Sequence, residues 1–305
     1  ANGYFSCANS FLDRGEISHF CQRRPIYSLF LASLLGLAGR DLQIVLVVQA
    51  VLLGIAVYFF SRQLERTLGI AAALIIFSFL FLFAAETSNT TMTENAGFLF
   101  GILGLLYLWN GAKGSNIISI ALGTLLLTLA LNARAGAYFV LPAILVWSVL
   151  FIFEKRHKKI ITALIVTSAI CAGFLLNSGL LMAVGGEQKM NNANFSYVIY
   201  GVIAGGKGWT YVYEAEPEIF SEGGGEVIHS QKIYKAAYEN LINKPRLFIN
   251  AYYRGLKNYF DKNMGFIRIK PYRISALWIF FTGLWFVGLI TAFLNIRRDR
   301  RYSLI

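Results

Sequence analysis

Residues 41–60 read DLQIVLVVQAVLLGIAVYFF, one aspartate followed by an uncharged apolar run. An α-helix rises 1.5 Å per residue, so about 20 such residues cross the roughly 30 Å hydrocarbon core of a bilayer. Working outward, runs of the same kind recur at 69–86, 95–112, 116–132, 137–153, 160–184 and 274–296. Together they predict an all-α polytopic membrane protein of about seven transmembrane helices. A shorter apolar stretch, 26–39, begins after Pro25 and stops at Gly39-Arg40-Asp41. It is below spanning length and reads as an interfacial or re-entrant helix.

Composition agrees. Hydrophobic residues make up 56% of the 305 and charged residues only 14%, against about 25% charged in soluble domains. In a soluble protein the net charge of +12 would point to nucleic acid. Here the positive charge clusters beside apolar spans, where it serves membrane topology, and nucleic-acid binding is set aside.

The loop charges give an orientation. Arg62 and Arg66 follow the first span, Lys113 the third, Lys155, Arg156, Lys158 and Lys159 the fifth, and Arg297, Arg298, Arg300 and Arg301 the seventh. Every second loop is basic, so these loops are expected on the cytoplasmic side. The expected organisation is an external loop with an interfacial helix (1–40), a bundle of six spans (41–184), an external, periplasmic segment (185–273), a seventh span (274–296) and a cytoplasmic end (297–305). The expected location is a bacterial inner membrane with the active face periplasmic. The sequence opens at Ala1 without an initiator Met or signal peptide and turns apolar again at its end, which reads as a fragment with further spans expected on both sides.

Within 185–273, Gly223-Gly224-Gly225 is a flexible break. His229 to Asn243 then has helical spacing, with Ile233, Ala236, Ala237 and Leu241 on a related face. Pro245 starts another helix, in which Leu247, Phe248, Tyr252, Leu256 and Phe260 alternate with Arg246, Arg254 and Lys257. That pattern suits a helix lying in the membrane interface, and equally an amphipathic helix of a small external domain.

Few polar residues could carry chemistry. Glu94, in Thr93-Glu94-Asn95, sits where the 87–94 loop enters the third span. It is either a functional carboxylate or a charge complementing the helix dipole. Glu86 ends the preceding span on the same side and is a secondary candidate. Arg134, in the turn Asn132-Ala133-Arg134-Ala135-Gly136, stands on the non-basic side. A bound anion would explain it, as would a snorkelling contact with lipid phosphate. Arg23 and Arg24 precede Pro25 and Tyr27 at the start of the interfacial helix, where free backbone N–H groups and two cations could dock a phosphate.

Cys7 and Cys21 form a disulfide in an oxidising compartment or remain two thiols; one pair decides nothing. Their spacing with His19 fits no standard metal-ligand pattern. Cys171 lies in an apolar span and reads as inert packing. Asn89-Thr90-Thr91 and Asn194-Phe195-Ser196 match a short glycosylation pattern that carries little weight, and Gly205-Gly206-Lys207-Gly208 lacks the strand–helix setting and the hydroxyl residue of a phosphate-binding loop.

The order of these features, a Tyr-containing external segment, then Arg-Arg-Pro-Ile-Tyr-Ser-Leu-Phe-Leu-Ala, a span, Thr-Glu at the head of a later span and Ala-Arg-Ala-Gly before another, resembles the GT-C membrane glycosyltransferases of the dolichyl-phosphate-mannose-protein mannosyltransferase and aminoarabinose-transferase type. The resemblance covers roughly residues 1–184. It implies a polyprenyl-phosphate sugar donor, inverting transfer to a lipid, glycan or protein acceptor, and a divalent metal in some branches. It places Glu94 at the second acidic position and Arg24 at the donor-phosphate position, with Arg134 a looser match; Arg23, from its place beside Arg24, is a further candidate phosphate contact, and Tyr4 is a secondary candidate. The family's main catalytic carboxylate stands four residues before a Tyr; counting back from Tyr4 puts it just before Ala1. The alternative reading is a transporter or flippase of lipid-linked sugars, which would share the basic residues and a lateral groove.

Overall fold

A computed structural model describes residues 3–262 apart from 137, 154, 188 and 222, with side chains described through 255. The expected span 274–296 and the basic end lie outside the described residues. What is described is helical throughout, with no strand among the described residues, and falls into two compact units that divide after residue 188.

The first unit holds α1 (Tyr4–Arg14), α2 (His19–Gln22), α3 (Pro25–Leu37), α4 (Leu42–Leu68), α5 (Ile70–Thr87), α6 (Thr93–Gly114), α7 (Ile117–Ala133), α8 (Val140–Trp147) and α9 (Arg156–Ala183). Helices α4, α5, α6 and α9 are long and apolar enough to cross a membrane. The two other expected crossings, 116–132 and 137–153, are shorter apolar helices. The latter carries Pro142 in the first turn of α8 and passes into a π turn at Ser148–Ile152. α4 runs on to Leu68, past the expected end at 60, because Arg62, Glu65 and Arg66 interrupt the apolar run without breaking the helix.

Local chemistry sets the helix starts. The Asp41 carboxylate accepts from the Gln43 and Ile44 amides at 2.8 and 3.2 Å, opening α4. The Asn116 side chain accepts from Ile118 and Ser119 at 2.9 and 3.2 Å, opening α7. These caps satisfy amides that have no partner inside the helix.

α6 and α7 fold back on each other through missing side chains. A Cβ built on Gly97 would stand 2.6 Å from the Arg134 Cβ, one on Gly104 2.8 Å from Leu127, and one on Gly111 2.6 Å from Ile120. Gly123 fits as tightly against the Gly104 carbonyl, at 2.7 Å. Small residues that let backbones approach are the usual means of helix association in lipid, where apolar burial supplies little drive. Gly173 of α9 completes the row, with a virtual Cβ 2.5 Å from Thr128 of α7.

α3 is no loose surface helix. Tyr27, Leu31 and Leu35 are fully buried, packed with Ala8 of α1, Ala96 of α6 and Ala133 beside Arg134. Cys7 and Cys21 are bonded, Cα atoms 6.4 Å apart, tying α1 to α2. Cys171 lies exposed on the outer face of α9. The expectation that it packs inside the bundle is corrected: its helix buries Ala169 and Gly173 instead.

The second unit holds α10 (Met190–Ile203), a short 3-10 turn (Trp209–Tyr211), α11 (Val212–Ala215), α12 (Glu218–Ser221), α13 (Glu226–Asn243) and α14 (Pro245–Lys262). Its core gathers Tyr197, Tyr200, Val212, Ile219, Ile233 and Ala237. Gly205-Gly206-Lys207-Gly208 is the turn that closes α10. Gly205 and Gly206 adopt φ of 96° and 77°, and Gly201 lies so close to the 207–208 backbone that a Cβ would stand 2.7 Å away. These glycines serve backbone approach.

Candidate functional site

The register of the α6–α7 hairpin brings the head of α6 to the tail of α7. There Arg134 Nε lies 3.2 Å from Glu94 Oε1, and the Thr93 hydroxyl donates to Glu94 Oε2 at 3.2 Å. The carboxylate is therefore held from both sides, in a first helical turn whose dipole favours it. Gly97 makes room for the Arg134 stem, since a methyl there would meet it. The pair is partly solvent-exposed, Arg134 at 51%, and such pairs contribute only about 0–1 kcal/mol to stability. The fold does not need it.

The α2–α3 junction brings the other charges, and α1 brings Tyr4. Arg24 precedes Pro25 at the head of α3 and is only 8% exposed. Its Nη1 donates to the Arg23 carbonyl at 2.7 Å. The Arg23 guanidinium sits 5.7 Å from the Phe20 ring centre. Tyr4 packs on Phe20 at 5.1 Å and edge-on to Tyr27 at 4.9 Å.

Electrostatic coupling shows that these groups share one neighbourhood. Burial pushes the Tyr4 phenol above its ordinary value, the charges of Arg24, Arg23 and Arg134 pull it down, and Glu94 pushes it up. Burial also holds the Arg24 guanidinium below its usual range, opposed by Tyr138 and Tyr4. It nevertheless stays protonated, as arginine does in proteins. The Tyr138 hydroxyl donates to the Leu131 carbonyl at 2.8 Å. Three cations and one carboxylate thus act electrostatically on Tyr4. The excess is positive, and part of it is desolvated, which favours an anion.

Beneath the pair lies a polar contact that sequence reasoning missed. Gln49 of α4 and Asn95 of α6 are each 2% exposed. Asn95 Nδ2 donates to Gln49 Oε1 at 2.8 Å and to the Thr90 carbonyl at 2.7 Å. This fixes the 88–92 loop and the residue next to Glu94. The available signal was an amide in the middle of the run 41–60 and another directly after Glu94. Tyr27 and Tyr138 were also missed; their signal was their place three residues after Arg24 and four after Arg134.

Glu86 is not brought in. It is exposed near the end of α5 and takes no part in the network. Cys7 and Cys21 are spent on each other, so the His19 grouping offers no sulfur ligand. Among the described residues no cluster of His, Cys, Asp and Glu could hold a metal. A lone carboxylate amid arginines does not fit a divalent ion. In the second unit the Tyr200 hydroxyl donates to Glu216 at 2.7 Å, and this contact with burial raises the phenol.

Comparison with protein-family models, curated proteins and solved structures finds no match to this chain.

Proposed function

We propose that this chain belongs to a GT-C-type glycosyltransferase that moves a sugar from a polyprenyl-phosphate donor to an acceptor hydroxyl on the external face of a bacterial inner membrane. The observation that carries this reading is the Glu94–Arg134 pair with buried Arg24 in electrostatic reach of Arg134, and all three acting on Tyr4. A phosphate leaving group needs fixed cations in a water-poor place, and a hydroxyl nucleophile needs a carboxylate beside it. The cluster stands at the opposite end of the α6–α7 hairpin from Lys113, in keeping with a non-cytoplasmic position. The Cys7–Cys21 bond supports the same side, since such bonds persist in oxidising compartments.

In the proposed reaction the acceptor hydroxyl oxygen attacks the anomeric carbon as Glu94 takes its proton. The bond from that carbon to the phosphate oxygen breaks, and its electron pair leaves on the phosphate. The products are an inverted glycoside and polyprenyl phosphate. Arg24 and Arg134 meet the growing charge on the leaving group. Arg134, shared between Glu94 and the incoming phosphate, loosens its hold on the carboxylate as the donor binds.

The test uses native membranes containing the full protein and polyprenyl phosphate carrying a radiolabelled hexose or pentose. The expected result is free polyprenyl phosphate with the label on a membrane acceptor, lost in Arg24→Gln. Label that changes leaflet on an intact donor would replace this reading with the flippase.

A further inference from the structure

Over its described side chains, through residue 255, helix α14 meets the rest of its unit along one narrow edge. Ala251 is 5% exposed, and its Cα lies 3.4 Å from the point where a Cβ on Gly206 would stand. Leu247, one turn earlier, approaches Gly205 in the same way at 3.8 Å. The opposite side is bare. Phe248, Ile249, Tyr252 and Tyr253 are 42%, 65%, 72% and 68% exposed. Their spacing of one, four and five residues makes a single helical face. Leu256 and Phe260 continue the same period in the sequence, and exposed Arg246 and Arg254 lie to its polar side.

Soluble surfaces seldom expose so continuous an apolar face. Tyrosines and arginines bordering aliphatic side chains are the chemistry of a membrane–water boundary, where rings sit at headgroup level and cations reach phosphate. The sequence also keeps α14 near lipid. Only residues 263–273 separate it from the apolar run 274–296, a stretch that fully extended reaches about 40 Å at most. We propose that α14 lies in the plane of the bilayer surface, with Phe248, Ile249, Tyr252 and Tyr253 immersed and Arg246 and Arg254 on the phosphates of anionic lipid. This does not depend on sugar transfer.

The full chain, with Cys171→Ala and the Cys7–Cys21 bond kept, can be reconstituted in vesicles. A nitroxide is attached in turn through Ile249→Cys, Asn250→Cys, Tyr252→Cys and Tyr253→Cys. Collisions with membrane-soluble oxygen should exceed those with a water-soluble nickel chelate several-fold at 249, 252 and 253, and the order should reverse at 250. Nickel access at 252 and 253 would place the face in water and overturn the proposal. Access by neither reagent would show protein covering it, a second copy or another segment, and overturn it equally. Arg246→Gln with Arg254→Gln should move the label at 252 outward in phosphatidylcholine vesicles containing phosphatidylglycerol, and not in phosphatidylcholine alone. An unchanged depth would remove the phosphate contacts.

Discussion

α5 and α6 are neighbours in sequence and both long enough to cross a bilayer, yet they do opposite work. α5 has a mean hydropathy of 2.2 with 11% of its apolar window buried; α6 has 1.2 with 50% buried. The more apolar helix is the less buried one, packed along α4 through Ala73 and Ala84 and bare on its other side. Phe81, at 54% exposure, faces outward, while Phe77 packs on the core and Phe83 on Phe98 of α6. α6 gives up hydropathy for Gly97, Gly104 and Gly111, which admit α7, and for Glu94 and Asn95, which face other helices. In lipid, apolarity marks the surface, while glycine and polar groups mark the interior and the site.

The comparison breaks first at Glu94. Glu94→Gln keeps the shape and removes the base. Transfer should fall by roughly 100-fold to 10,000-fold while the protein still inserts and elutes as wild type; unchanged turnover would reduce Glu94 to a helix-dipole partner. Next, Gly123→Leu forces a side chain into the α6–α7 contact, where a Cβ already meets backbone at 2.7 Å. It should cost about 1–3 kcal/mol or more, seen as a lower aggregation temperature in detergent. Gln49→Leu sharpens the contrast at smaller scale. It removes a buried hydrogen bond while Asn95 keeps Thr90, and should cost about 1 kcal/mol in the same assay. Phe81→Leu on the outer face of α5 should stay within about 0.5 kcal/mol; a larger loss would mean that this outer face also packs against protein.

Much of the bundle was legible because apolar runs announce themselves. The helices begin and end within a few residues of the runs read for them, except where Arg62, Glu65 and Arg66 extend α4 and where Lys155 caps α9 ahead of its expected start at 160. The π turn after α8 was not legible, since backbone hydrogen bonding leaves no mark in an apolar run. Of the candidate residues, Glu94, Arg134, Arg24, Arg23 and Tyr4 stand together and Glu86 does not. The pairing of Glu94 with Arg134 depends on hairpin register, which the glycines fix and which no single-residue reading contains. Gln49 and Asn95 were invisible for the same reason: each looks like a stray amide until α4 and α6 are placed side by side.

The single residue Gly69 between α4 and α5 has a consequence for the lipid itself. α4 carries Arg62, Glu65 and Arg66 in its last two turns, whereas α5 starts at once with exposed Ile70 and Leu74. Both helices end at Gly69, so no depth suits both: water for the charges strands the aliphatic turn, and hydrocarbon for that turn drowns the charges. A tilt of the pair, or a local dimple in the leaflet with the arginine heads reaching outward, resolves the mismatch. One glycine thus ties the depth of a charged turn to that of an aliphatic one.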